Sequence, residues 1–101
     1  MIIAIDIDNT WTKDPKFFNS IYEIATAYGH NIIIATGRKE YSNDMDKFDL
    51  PDVPVLYCGD ELKETVALRN GYTVDIWIDD SPGTIQECKK LSGELWANKR
   101  N

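Results

Sequence analysis

Apolar and polar positions divide this chain into four short apolar runs, with segments of helical periodicity between them. The runs are rich in β-branched residues and lack a polar face, as is typical of strands buried on both sides. They cover Ile2–Ile7, Ile32–Ala35, Val53–Tyr57 and Val74–Ile78. Alternation of such strands with helices predicts an α/β fold: a Rossmann-like parallel sheet of about four strands in a three-layer α/β/α arrangement.

Capping residues and apolar spacing predict helices between these strands. The predicted helices cover residues 14–29, 60–70 and 81–91, and a weaker candidate covers 38–48. Asp14 and Ser81 each precede a proline, and Asp60 is a third candidate cap. Gly29 and Gly71 fit helix ends, and Trp96 is expected to fold the tail back onto the body.

Length, composition and charge restrict the class of protein. With 101 residues, of which 43% are hydrophobic, we expect one globular domain spanning 1–101. The net charge of −6 argues against a broad nucleic-acid footprint, although it leaves a local basic groove open. Cys58 and Cys88 lack metal-type spacing and are expected to be reduced thiols. No basic region precedes the first apolar run and the runs are short, so we expect a cytoplasmic protein without signal peptide or membrane span.

Residues suited to phosphate chemistry stand at the end of the strands or just beyond. They are Asp6, Asp8 and Thr10 after the first strand, Thr36-Gly37-Arg38 after the second, Lys63 near the start of the helix after the third, and Asp79-Asp80 after the fourth. The carboxyl ends of parallel strands meet at one edge of a sheet, so these groups are expected to converge there. Crowded carboxylates need neutralising, and a divalent cation such as Mg²⁺ does this. Taken alone, residues 6–10 also fit an ordinary turn.

In order and spacing, these residues resemble the four motifs of the haloacid dehalogenase (HAD) superfamily of phosphohydrolases. The matching residues are Asp6-Ile7-Asp8-Asn9-Thr10, Thr36, Lys63 and Asp79-Asp80. The resemblance covers nearly the whole chain and implies a HAD-like core that hydrolyses phosphomonoesters with Mg²⁺ through a phosphoaspartyl intermediate. The segments after Thr10 and before Lys63 are too short for a cap domain, so a capless phosphatase-type member with an open site is expected.

The resemblance also implies a role for each of these residues. The implied catalytic residues are Asp6, Asp8 and Lys63; the implied phosphate- or substrate-binding residues are Thr10, Thr36, Gly37 and Arg38; and the implied metal ligands are Asp6, Asp8, Asp79 and Asp80. Asp6 would be the nucleophile, and Asp8 would be the general acid and base and would ligate Mg²⁺ through its backbone carbonyl. Asp80 is expected to ligate the metal directly, with Asp79 behind it. Lys39 and Lys47 are alternatives to Lys63.

Two short segments bear on the substrate. Residues 34–38 and 78–80 are similar to the 3′-phosphatase domain of phage-type polynucleotide kinases, and 79–82 is similar to phosphoprotein phosphatases that act on the polymerase tail. The expected partner is therefore a phosphorylated nucleotide, polynucleotide end or phosphoprotein, and a second copy of the chain is a candidate cover for the open site. Trp11 is either a core aromatic residue or a substrate contact.

Two other classes of protein share parts of this pattern. A non-catalytic HAD-like domain would bind phosphate, metal or a protein partner with the same fold. A phosphoacceptor receiver domain places its acidic pair after strand one and its phosphorylated Asp after strand three. Here strand three is followed by Cys58-Gly59-Asp60, and the order of the acidic groups argues against a receiver domain.

Overall fold

The computed structural model describes residues 1–40 and 48–87. Its strands and helices are β1 (Ile2–Ile5), α1 (Pro15–Ala27), β2 (Asn31–Thr36), β3 (Val55–Tyr57), α2 (Lys63–Arg69) and β4 (Ile76–Ile78), with 3₁₀ turns at Trp11–Lys13 and Pro82–Thr84. Within this part of the chain, no helix is both long enough and apolar enough to cross a membrane. The predicted α/β class is confirmed.

All four strands are parallel and lie in the order β3-β2-β1-β4. In the register, Ile5 of β1 lies opposite Ile34 of β2 on one side and Ile78 of β4 on the other. The chain therefore moves outward from β1 through β2 to β3, and then crosses back to place β4 on the far side of β1. This reversal creates a topological switch point between β1 and β4, where ligand sites form in sheets of this kind.

Successive strand residues point to opposite sides of the sheet, so both faces carry apolar side chains that need covering. One helix covers each face. On one face, Ile5 and Ile34 pack with Phe18 and Ala25 of α1. On the other face, Ile33 and its neighbours Ala4, Ala35 and Leu56 pack with Val66 and Ala67 of α2. The predicted three-layer arrangement is therefore present, and it explains why the central strands carry no polar face.

Three of the four strands begin later or end earlier than the apolar runs predict, whereas β2 extends one residue beyond its run at each end. β1 ends at Ile5 instead of Ile7, because the Ile7 carbonyl accepts hydrogen bonds from the backbone of Thr10 and Thr12 and so belongs to a turn. β3 starts at Val55, after Pro54, which has no backbone N–H to donate. β4 starts at Ile76 instead of Val74. The turn after β1 brings its polar residues close together beyond the strand end.

Helix caps agree with the sequence prediction only in part. Asp14 caps α1 as predicted, accepting a hydrogen bond from the backbone of Phe17 at 3.2 Å. The prediction that Asp60 caps α2 is wrong: the helix begins at Lys63, and the preceding residues form a turn at Gly59, which has φ +57°. Ser81 makes no capping side-chain hydrogen bond to the 3₁₀ turn that follows it.

Several sequence predictions fall partly or wholly on residues outside the described ranges. They concern residues 41–47 of the predicted helix over 38–48, residues 88–91 of the last predicted helix, and the side chains of Lys47, Cys88 and Trp96. The described parts of these two predicted helices, 38–40 with 48 and 81–87, contain no α-helix, so the prediction of a helix that begins at residue 81 is wrong there. Cys58, which is described, is a buried free thiol, and burial raises its pKa.

The central packing of β2 is expected to carry much of the stability. Ile34 is fully buried between its neighbouring strands and α1, so Ile34→Ala leaves a cavity and should lower the free energy of unfolding by about 2–5 kcal/mol. Ile24→Ala is the matched control, because Ile24 is 61% exposed and its loss should cost under about 0.5 kcal/mol. Urea denaturation measures both, and equal values for the two variants would contradict the described core.

Candidate active site

Asp6 and Asp79 stand at the switch point of the sheet, directly after β1 and β4. The Asp6 backbone N–H donates to the Ile78 carbonyl at 3.0 Å, which continues the pairing of β1 with β4 one step beyond the strands. The two carboxylates are thereby placed on adjacent chain ends at the carboxyl edge of the sheet. Parallel pairing thus joins residues that are far apart in the sequence.

Lys63, the first residue of α2, bridges these two carboxylates. Its Nζ donates to Asp6 Oδ1 at 2.8 Å and to Asp79 Oδ2 at 2.6 Å. The three side chains are almost fully enclosed, with exposed fractions of 4% for Lys63, 8% for Asp6 and 2% for Asp79. A lysine so deeply buried is tolerated only when it is paired, so the lysine and the two aspartates are positioned as a unit.

The buried charges perturb one another's protonation. For Asp6, burial raises the pKa and the Lys63 ammonium opposes this, while the charge of Asp79 raises the pKa further. For Lys63, burial disfavours the charged form, but the hydrogen bonds and charges of Asp6 and Asp79 outweigh it and raise the pKa. The lysine is therefore held as a cation beside a carboxylate that lies under repulsion from its neighbour.

The turn after β1 fixes the second oxygen of Asp6. Asn9 adopts φ +61°, a left-handed conformation that asparagine tolerates better than most residues, and its backbone N–H donates to Thr12 Oγ1. The Thr10 hydroxyl then lies 3.2 Å from Asp6 Oδ2 and 3.4 Å from Asp80 Oδ1. The buried Thr10 hydroxyl therefore orients the Asp6 carboxylate, a contact that the sequence did not reveal.

Asp6, Asp79 and Asp80 form a group that could hold a metal ion, because one carboxylate oxygen from each lies within 4.8 Å of the others. Three hard oxygen donors match the preference of Mg²⁺ and Ca²⁺. Both oxygens of Asp79 already accept hydrogen bonds, one from Lys63 and one from the backbone of Ser81 at 2.9 Å, whereas Asp80 is exposed. This difference favours Asp80 as the more available direct ligand. A ligating role for the Asp8 backbone carbonyl stays a prediction.

The residues after β2 approach the same edge but play different structural parts. Thr36 is fully buried, and its hydroxyl oxygen accepts a hydrogen bond from the Arg38 backbone at 3.1 Å. Arg38 reaches Asp8 with two side-chain hydrogen bonds, both of 2.8 Å. Gly37 faces the loop after β3, where a Cβ would lie 3.8 Å from the Gly59 carbonyl oxygen. Contact of Thr10, Thr36, Gly37 or Arg38 with a phosphate stays a prediction.

These groups surround an open cleft of about 370 Å³. The lining residues that were predicted from the sequence are Asp6, Asp8, Gly37, Arg38, Lys63, Asp79 and Asp80. The sequence did not single out the others, which are Asn9, Gly59, Glu61, Ser81 and Thr84. Thr10 and Thr36 lie beneath the cleft surface, where they hold the lining residues in place. Polar turn residues beside strand ends were the only available signal for the missed group.

Two of the described lysines were candidates for the position beside Asp6, and a tryptophan had two interpretations. Lys63 occupies that position, whereas Lys39 is exposed and lies against Gly59. Trp11 is 1% exposed and stacks on Phe18 with ring centroids 5.5 Å apart, so it is a core residue.

Comparison with family models, with curated proteins and with solved structures gives no match to this chain.

Divalent metal binding should stabilise the fold, because only the folded chain brings the three carboxylates together. Mg²⁺ at about ten times its dissociation constant adds about 1.4 kcal/mol, which corresponds to a rise in Tm of about 5–10 °C. Asp80→Ala should lose most of this rise, and Asp52→Ala, which removes an exposed carboxylate away from the cleft, should keep it. Differential scanning calorimetry with and without chelator measures the effect; identical Tm values for the wild type would contradict the metal site.

Proposed function

We propose that this chain is a Mg²⁺-dependent phosphomonoester hydrolase of the HAD type that acts through a phosphoaspartyl intermediate on Asp6. The observation that carries the proposal is the buried Asp6 carboxylate, held by Lys63 at 2.8 Å beside Asp79 and Asp80 at the switch point of the sheet. An isolated buried carboxylate would be costly, so this arrangement is consistent with a charge kept for chemistry.

The placement of Asp6 supports its role as the nucleophile. Lys63 and Thr10 hold its two oxygens in a fixed direction, and the residue lines the cleft. An Asp6 oxygen would form a bond to phosphorus as the bond to the leaving oxygen breaks, giving an acyl phosphate. The Lys63 ammonium offsets the negative charge that the carboxylate and the phosphoryl oxygens share.

The acidic cluster supports the metal requirement. Asp6 and Asp80, with Asp79 behind them, would hold Mg²⁺, which supplies charge neutralisation for an entering phosphate. Asp79 accepts hydrogen bonds from Lys63 and from the Ser81 backbone, so it holds the acidic cluster next to the lysine. Residues that follow β1 and β4, together with the first residue of α2, therefore contribute to one site.

Asp8 would move the protons. It would donate a proton to the leaving oxygen and later accept one from the water that cleaves the acyl phosphate, so the residue is restored at the end of each cycle. Its side chain is 49% exposed and lines the cleft next to Asp6, within reach of solvent. Arg38, Gly37 and Thr36 would recognise the phosphate from the β2 side of the cleft.

The open cleft supports a phosphate carried on a large or protruding group, since the lining includes no enclosing wall among the described residues. Nucleotides and polynucleotide ends are the favoured substrate class, with phosphoproteins as the alternative, and a second copy of the chain could cover the site. The net charge of −6 disfavours a long nucleic-acid footprint. We expect the protein to act in the cytoplasm.

A second candidate function is a non-catalytic HAD-like domain that binds phosphate, metal or a protein partner. The observation that favours it is the contact of Asp8, whose two carboxylate oxygens both accept hydrogen bonds from Arg38. In that state Asp8 presents no proton to a leaving group. Phosphate binding without turnover of any phosphomonoester would favour this candidate.

The proposal is tested by a phosphatase screen with Mg²⁺ over nucleotides, 3′-phosphorylated oligonucleotides and phosphopeptides. On the best substrate, Asp6→Asn should lower kcat by several orders of magnitude, because an amide nitrogen is not a nucleophile towards phosphorus. Circular dichroism should show an intact fold, since asparagine is nearly isosteric. Activity of pure Asp6→Asn protein comparable to the wild type would exclude Asp6 as the nucleophile.

Lys63 and Lys39 provide a matched pair of lysines at the same edge of the sheet. Lys63→Ala should lower kcat by about a hundredfold or more, because it removes a preorganised charge that touches the nucleophile. Lys39→Ala removes an equal charge outside the cleft lining and should leave kcat within about twofold. Steady-state kinetics separates the two. If the variants behave in the opposite way, the cation of the site has been assigned to the wrong lysine.

A further inference from the structure

Arg38 and Asp8 are joined by a two-point contact at the cleft surface. Arg38 Nε donates to Asp8 Oδ2 and a terminal guanidinium nitrogen donates to Asp8 Oδ1, each at 2.8 Å. The Arg38 side chain is 23% exposed and the Asp8 side chain 49% exposed. Both residues line the cleft, so a molecule that enters the cleft meets this pair directly.

The guanidinium is positioned by its surroundings as well as by Asp8. Its carbon lies 4.9 Å from the centroid of the Phe48 ring, a cation–π geometry. The Arg38 backbone N–H donates to the buried Thr36 hydroxyl at 3.1 Å. The arginine is thus held by its backbone and packed against an aromatic ring, while two of its side-chain donors bind Asp8 at the cleft.

The planar guanidinium fork fits a phosphate as well as it fits a carboxylate. While both Asp8 oxygens accept hydrogen bonds from Arg38, the carboxylate carries no proton that it could donate to a leaving group. We propose that Arg38 is a positioning residue that clamps Asp8 and releases it when phosphoryl oxygens bind the guanidinium in place of the carboxylate. The phosphate as displacing ligand rests on the proposed function.

This exchange requires little net change in hydrogen bonding. The Arg38 N–H groups exchange carboxylate oxygens for phosphate oxygens as their hydrogen-bond acceptors. Asp8, whose side chain is half exposed, is hydrated by water when it is released. Part of the phosphate-binding energy is used to break the contact between Arg38 and Asp8. The wild-type chain therefore binds phosphate more weakly than a variant that keeps Arg38 but lacks the Asp8 carboxylate.

A double-mutant cycle on phosphate binding tests the clamp. Isothermal titration calorimetry measures the dissociation constant of inorganic phosphate, with Mg²⁺ present, for the wild type, Asp8→Ala, Arg38→Ala and the double variant. Removing Asp8 takes a negative charge from the cleft in either background, but it removes the contact between Asp8 and Arg38 only where Arg38 is present. The tightening caused by Asp8→Ala should be about fivefold greater in the wild-type background than in the Arg38→Ala background.

Arg38→Lys supplies a readout that a purely structural role would not move. Lysine keeps the charge but cannot make the planar two-point contact, so it should restore phosphate affinity relative to Arg38→Ala without restoring the coupling to Asp8. Lys16→Ala is the charge-matched control, because Lys16 is exposed and does not line the cleft, and it should leave the coupling unchanged. If Asp8→Ala does not fold, Asp8→Asn replaces it in the cycle.

The results with a phosphate-binding protein separate the clamp from the proposed function. Equal tightening in both backgrounds, greater tightening without Arg38, or full coupling with lysine would overturn the clamp and leave a phosphatase without it. Coupling in a protein that hydrolyses no phosphomonoester would support the clamp and count against the proposed enzyme. Failure of the wild type to bind phosphate with Mg²⁺ would overturn both.

Discussion

The buried contact of Lys63 with Asp6 and Asp79 is the constraint on which the rest of the candidate site depends. Burying any one of these three charged side chains without its partners would cost a large desolvation free energy, and the pairing offsets that cost. Each side chain therefore holds the others in place. The contact links the ends of β1 and β4 to the start of α2, and Thr10 adds a hydroxyl beneath it. Any shift of α2 relative to the sheet would leave a buried charge without its partner.

The sheet makes this contact geometrically available. Four parallel strands in the order β3-β2-β1-β4 put the ends of β1 and β4 side by side, and a helix on each face leaves the carboxyl edge open. Apolar burial stabilises the body of the fold, whereas the edge carries the polar residues that such burial would disfavour. The division between a closed core and an open edge explains how so short a chain carries so many acidic groups in one cleft.

Much of this arrangement was predictable from the sequence, because it follows from strand pattern and from the rule that parallel strands end together. That rule predicted the approach of Asp6, Lys63 and Asp79, and the structure shows their contact. The ends of elements were less predictable: Asp60 does not cap α2, because the chain first turns at Gly59. The fork between Arg38 and Asp8 depends on side-chain directions across two strands, for which the sequence offers no local signal. The position of Thr10 depends in the same way on the turn at Asn9.

The central claim is that Asp6 becomes phosphorylated during turnover, and chemical trapping tests it most directly. The protein is incubated with Mg²⁺ and its best substrate from the phosphatase screen, denatured during turnover, reduced with borohydride and digested for mass spectrometry. Borohydride reduces an acyl phosphate to the alcohol, so the account predicts homoserine at Asp6 and at no other aspartate, and none in Asp6→Asn protein. Turnover with Asp6 unmodified, or with another residue reduced in its place, would contradict it.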